Sequence, residues 1–84
     1  MALTFPNLSR SFDEARSGVR FIGYDGMFEV RFLVEAGALG KTATAEKSAL
    51  AAFDAARKSI QDVARETYSH GKKNIYILTA ADFR

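Results

Sequence analysis

Between Gly18 and Glu35 the chain reads GVRFIGYDGMFEVRFLVE, with apolar and polar residues alternating on both sides of a central Asp-Gly. Period-two alternation puts successive side chains on opposite faces of a strand. Asp25-Gly26 is the dipeptide favoured at the centre of a two-residue type I′ turn, where both residues need positive φ. That turn predicts a hairpin of strands 19–24 and 27–35, with Tyr24 facing Met27, Gly23 facing Phe28, Phe21 facing Val30 and Val19 facing Phe32. One face then carries Val19, Phe21, Phe28, Val30, Phe32 and Val34, and the other Arg20, Ile22, Tyr24, Met27, Glu29, Arg31 and Leu33. Gly23 leaves a gap that the ring of Phe28 can cover from across the hairpin.

The period changes after residue 44. Over about 45–69, Ala49, Leu50, Phe53, Ala56, Ile60, Ala64, Thr67 and Tyr68 recur at three- and four-residue spacing, which predicts one long amphipathic helix. Asp54, Lys58, Asp62 and Arg65 lie opposite, spaced for ion pairs along the helix. Thr42 or Thr44 suits the start, and Gly71 the left-handed residue closing the end. Residues 74–79, NIYILT, read as a short strand apolar on both faces, either of which can be the buried one. Thr79-x-x-Asp82 after it has the spacing of a capped turn that swings Phe83 back over a sheet edge. Residues 11–18 fit either a strand around Phe12 with a turn or a capped helical turn, and the strand is preferred. Gly37 and Gly40 allow at most one turn that returns Leu39 to the core.

These elements make an α+β fold in a single domain, 1–84: a small antiparallel β-meander, one helix packed on one sheet face, and a returning strand. A right-handed crossover places that last strand antiparallel beside the first hairpin strand. One helix cannot cover both sheet faces. The outer face, with Ile22, Tyr24, Met27, Leu33 and one of Tyr76 and Leu78, therefore calls for cover from the N-terminal segment (Leu3, Phe5, Leu8) or from a second subunit.

Composition narrows the functions. Seven Phe and three Tyr supply much apolar area for 84 residues, and without Cys no disulfide or thiolate metal site can staple the fold. A net charge of +2 is too small to argue for nucleic acid alone. No apolar run suits a membrane span and the N-terminus lacks a secretory pattern, so a cytoplasmic location is expected. GALGKT resembles a phosphate-binding loop, but Glu35 stands where that motif needs its first Gly, and a carboxylate there repels phosphate. His70, the sole histidine, is explained with Lys72 and Lys73 by the negative end of a helix. No catalytic residue, cofactor site or metal site is assigned, and enzyme activity is not expected.

Two places stand out. Arg57 interrupts the apolar stripe; it either extends its head to solvent along its own stem or is held as a structural ion-pair anchor by Asp13, Asp82 or the C-terminus. On the outer face Arg20 and Arg31 come out directly opposite, flanked by Tyr24 and Tyr76, an arrangement single-strand binders use. Glu29 and Glu35 share that face, however, and Ile22, Met27 and Leu33 suit a covered surface better. The candidate interface, Arg20, Ile22, Tyr24, Met27, Arg31 and Leu33, thus serves a homodimer or other protein partner first and nucleic acid second.

LTFPN at 3–7, SFD at 11–13, VRFIGYDG at 19–26, FDAAR at 53–57 and YILTAADF at 76–83 together resemble a family of short proteobacterial proteins catalogued as domain of unknown function fourteen-eighty-eight. The resemblance spans nearly the whole chain in order. It implies a small single-domain α+β fold in a bacterial cytoplasm and carries over no activity, cofactor or catalytic residue. The glycines of AGALGKT fall where the family leads one to expect a more regular short helix.

Overall fold

The computed structural model describes residues 3–6, 9–40, 45–68 and 74–83. Five strands form one sheet: β1 (Leu3–Thr4), β2 (Arg10–Asp13), β3 (Gly18–Asp25), β4 (Phe28–Glu35) and β5 (Tyr76–Leu78). Both β1 and β2 pair with β3 on its far edge, β3 pairs with β4, and β5 closes the other side of β4. Helices α1 (Ala36–Leu39), α2 (Glu46–Ala55) and α3 (Arg57–Tyr68) follow β4, and a 3-10 turn at Ala80–Phe83 follows β5.

The hairpin forms where the alternation predicts, but its turn is displaced. Gly26 alone takes positive φ (63°), and Gly26-Met27 is the central pair, which fits a type II′ turn with Gly first. Asp25 therefore faces Phe28, Phe21 faces Phe32 and Val19 faces Val34. Moving the turn by one residue moves the register by two, so parity survives and every side chain keeps its expected face. Phe28 keeps its face yet is 78% exposed, because it sits at the far end of the strand. The gap over Gly23 is filled by Phe5 and Leu3 instead; a Cβ there would lie 2.8 Å from the Phe5 ring.

The returning strand is shorter than 74–79 and has a different neighbour. It runs parallel to β4, Phe32 against Tyr76 and Val34 against Leu78. The place beside β3 is already taken by β1 and β2, the latter being the strand preferred for residues 11–18. A parallel partner needs a long crossover, and α2 and α3 provide it. The helical stretch is not continuous: Ala56 leaves helical geometry (φ −108°, ψ 16°), its amide shared between the carbonyls of Ala52 and Phe53. Ala55-Ala56 is an excellent helix former, so packing imposes the break and no propensity signal announces it. At the start of α2, Ala45 is the N-cap residue, and the Ser48 hydroxyl accepts from its amide at 3.2 Å. The expected caps at Thr42, Thr44 and Gly71 lie outside the described residues.

The core lies between the sheet and the helices. Val19, Phe21, Phe32 and Val34 meet Ala49, Phe53, Ile60 and Ala64, joined by Tyr76 and Leu78. Phe32 stands 5.1 Å from the Phe21 ring centre and 5.4 Å from that of Tyr76. The N-terminal strand is drawn to this side. Arg65 donates to the Leu3 carbonyl (3.2 Å) and lies over the Phe5 ring, while the Tyr68 hydroxyl donates to Asp25. Leu3 and Phe5 therefore cover the helix side and not the outer face; Leu8 lies outside the described residues.

Arg57 is an ion-pair anchor, and the carboxylate that holds it among the described residues is Asp54 rather than Asp13 or Asp82; the C-terminus lies outside the described residues. Its guanidinium donates to Asp54 at 2.8 Å and lies 4.9 Å from the Phe53 ring centre. Arg10 of β2 donates to the same carboxylate from the sheet (2.8 and 3.0 Å), so Asp54 ties sheet to helix. The Arg10 hydrogen bond above all, with that of Arg57 behind it, outweighs desolvation and holds the Asp54 carboxyl below its ordinary 3.8. A depressed folded pKa stabilises the fold above the unfolded value and loses that stabilisation as pH falls through the folded one. Thermal melts between about pH 2 and 6 should show a shallower acid limb for Asp54→Asn than for the native protein.

At the C-terminal end the capped turn forms as spaced: Asp82 accepts from the Thr79 amide at 2.8 Å. Phe83 returns half-buried against the core, and Leu39 does the same from α1. Phe83→Ala should cost about 1–2 kcal/mol, a drop of several degrees in the melting midpoint. An unchanged midpoint would mark Phe83 as a tail that does not support the core.

Candidate interaction face on the helix-free side of the sheet

Strand parity carries Arg20, Ile22 and Tyr24 of β3 and Glu29, Arg31 and Leu33 of β4 away from the helices. Ser11 and Asp13 of β2 and Ile77 of β5 share that face, and among the described residues no helix packs on it. The ladder aligns Tyr24 with Glu29, Ile22 with Arg31, and Arg20 with Leu33. Arg20 and Arg31 are thus one row apart rather than directly opposite, the consequence of the two-residue shift in register. No like-charge pair needs relief: Arg31 meets Glu29 at 3.3 Å and Arg20 meets Asp13 at 3.7 Å.

The apolar members differ in exposure. Met27 is 96% exposed at the hairpin tip, Ile77 is 45% exposed, and Ile22 and Tyr24 are half-buried. Leu33 is 2% exposed within the chain itself. Its side chain fills the space above Gly18, where a Cβ would stand 3.1 Å from Leu33 Cδ1. Tyr76 and Leu78 are both buried on the helix side, so Tyr76 does not flank the arginines.

A depression of about 650 Å³ opens on this face between Ile22, Arg31, Ile75 and the β2–β3 turn. Arg16 joins its rim, a residue that sequence reasoning did not single out. The Asp13 side chain accepts from the amide three residues on, that of Arg16 (3.0 Å), as a capping carboxylate does, and Ser17 takes positive φ (51°) to complete the reversal. Asp13 thereby organises the turn while facing Arg20.

Among the described residues no group of three or more metal-ligating side chains converges. No described helix is long and apolar enough to cross a membrane. His70, Lys72 and Lys73 lie outside the described residues, and so does Lys41 of GALGKT; Gly37 lies within the helical turn α1, and Gly40 ends it with a positive φ of 129°. Chemically, the face combines a few adaptable apolar groups with guanidinium groups already offset by carboxylates.

Comparison with curated proteins and with solved structures returns no match. The family profile described as protein of unknown function (DUF1488) matches residues 3–79, and the chain belongs to that family.

Proposed function

We propose that this protein is a small non-enzymatic interaction module that works through the helix-free face of its sheet and takes a protein partner. The observation that supports this is a face bearing Ile22, Tyr24 and Ile77, with Met27 exposed at the adjoining hairpin tip and no described helix packed over them. Tyr, Met and Arg are the side chains enriched in the centres of protein interfaces, and this face interleaves all three. A nucleic-acid platform needs a series of exposed rings and uncompensated positive charge. Here Tyr24 is the one aromatic ring on the face among the described residues, and Arg20 and Arg31 have Asp13 and Glu29 beside them.

The test pairs two measurements. Native protein and an Ile22→Asp variant are immobilised and exposed to native extract, with their melting temperatures compared. A protein retained by the first and lost from the second, at matched stability, supports the reading. Salt-dependent binding of labelled oligonucleotides that disappears on changing Arg20 and Arg31 to Ala would overturn it in favour of nucleic acid.

A further inference from the structure

We propose that the partner of this face is a second copy of the chain, packed face to face with its strands antiparallel to the first. The proposal rests on reading the face as a protein interface, and it follows from the order of side chains along the ladder. Three rows lie in sequence: Tyr24–Glu29, Ile22–Arg31 and Arg20–Leu33. Two-fold symmetry closes a pair of such faces around an axis lying in the interface. An axis that crosses the strands at the Ile22–Arg31 row sets each Arg20 over the ring of the opposing Tyr24, a cation–π pairing. One strand over, about 4.8 Å to the side, stands the opposing Glu29.

At the axis itself Ile22 meets Ile22. Arg31 meets Arg31 there, and each brings its own Glu29 at 3.3 Å, so the group of four carries no net charge. The other two-fold choice, an axis along the strands, places Arg20 over Leu33 and Arg31 over Ile22. Glu29 then falls on Tyr24, and no arginine gains an opposite charge across the interface. Charge therefore selects the antiparallel arrangement. The isologous contact uses the face completely, so assembly stops at two copies.

Size sets the strength. Two eight-residue strands flanked by the short β1, β2 and β5, at about 3.3 by 4.8 Å per residue, make a face of roughly 400 Å² for each copy. That lies at the small end of specific interfaces, the class of weak and reversible pairs. The depression beside Arg16 stays between the copies as a pocket lined by arginines and by apolar surface, in keeping with the wet interfaces of that class.

The chain has no Cys, so a single introduced thiol reports on geometry without interference. Ile22→Cys and, on an exposed side chain, Arg31→Cys both lie on the axis, about 10 Å from their counterparts at sheet-packing distance. Both should be joined by a short bis-maleimide at high yield. Met27→Cys lies about 25–30 Å from its counterpart and should remain monomeric, whereas strands packed in parallel would bring the two tips together. Arg20→Glu, which loses the pairing with Tyr24 and faces the opposing Glu29, should reduce cross-linking at position 22 several-fold.

Efficient cross-linking at Met27→Cys overturns the antiparallel arrangement. Folded Ile22→Cys and Arg31→Cys proteins that do not cross-link, together with a monomer in sedimentation equilibrium at roughly millimolar concentration, overturn the second copy as partner. A different protein retained through Ile22 would then leave the broader interface reading standing, so the two failures are distinguishable.

Discussion

Phe32→Ala should remove a third or more of the protein's stability, about 3–5 kcal/mol, and move the urea midpoint sharply down. The side chain is fully buried and touches the rings of Phe5, Phe21 and Tyr76, so it joins the N-terminal segment, the hairpin and β5. Truncating a buried Phe costs about 3–5 kcal/mol, part transfer free energy and part the cavity left behind. A chain of this length has a total stability of roughly 4–13 kcal/mol. The loss is therefore a large share of the whole. The neighbours have no easy way to collapse into the space, because they come from three segments held by separate hydrogen-bond ladders. Urea denaturation followed by far-ultraviolet circular dichroism reads it directly. A shift in midpoint worth under about 1 kcal/mol would mean that the core relaxes around position 32.

Gly18→Ala is the second large effect, and a less obvious one. The new methyl would lie 2.6 Å from the carbonyl oxygen of Val34, closer than a real Cβ contact tolerates. The obstacle is backbone within the β3–β4 ladder, so no side chain can swing aside to relieve it. Leu33 is crowded at the same time, and it is the buried apolar residue of the helix-free face. Overpacking of this kind costs about 1–3 kcal/mol. Amide exchange across β3 and β4 should quicken in the variant, and the outer face should be disturbed with it. An unchanged exchange pattern would show that the strands separate slightly at no cost.

Much of this fold was legible because strand parity is robust. The alternation in VRFIGYD and FEVRFLV assigns each side chain to a face whichever turn is chosen, which is why a register wrong by two still yields the right core. The turn itself was not legible at that precision. Asp25-Gly26 and Gly26-Met27 are both acceptable centres, and the choice depends on which residue beside Gly26 takes the positive φ. In the event neither Asp25 nor Met27 does. Strand order was harder still. Nothing in NIYILT says parallel or antiparallel; the answer depends on β1 and β2 occupying the edge of β3, and β1 is a two-residue strand held by Arg65 from a distant helix.

The candidate site was legible in membership and not in pairing. The ladder puts Arg20, Ile22, Tyr24, Arg31 and Leu33 on one face and leaves Met27 in the turn, and the imagined juxtaposition of Arg20 with Arg31 dissolves with the corrected register. Tyr76 leaves the face because only two of its alternations separate it from the crossover, too few to show which side the helix takes. Asp54 shows the same limit. Its pairing with Arg57 follows from helical spacing, whereas the second partner, Arg10, arrives from a strand that no local pattern connects to it.

The parallel pairing of β4 with β5 also has a consequence in time. The hairpin needs only its own turn to assemble, and loops of that size close in microseconds or less. Phe32 reaches Tyr76 only after the whole helical stretch has been traversed, so its principal ring partner on that side comes from far along the chain. Contacts of such long separation are formed late, since loop-closure entropy must be overcome before they contribute. The hairpin can therefore exist early with Phe32 facing solvent on one flank, and the arrival of β5 is the step that shelters it. A chain delayed at that step would display an open hydrophobic strand edge, the form most prone to pair with a neighbour in the same condition.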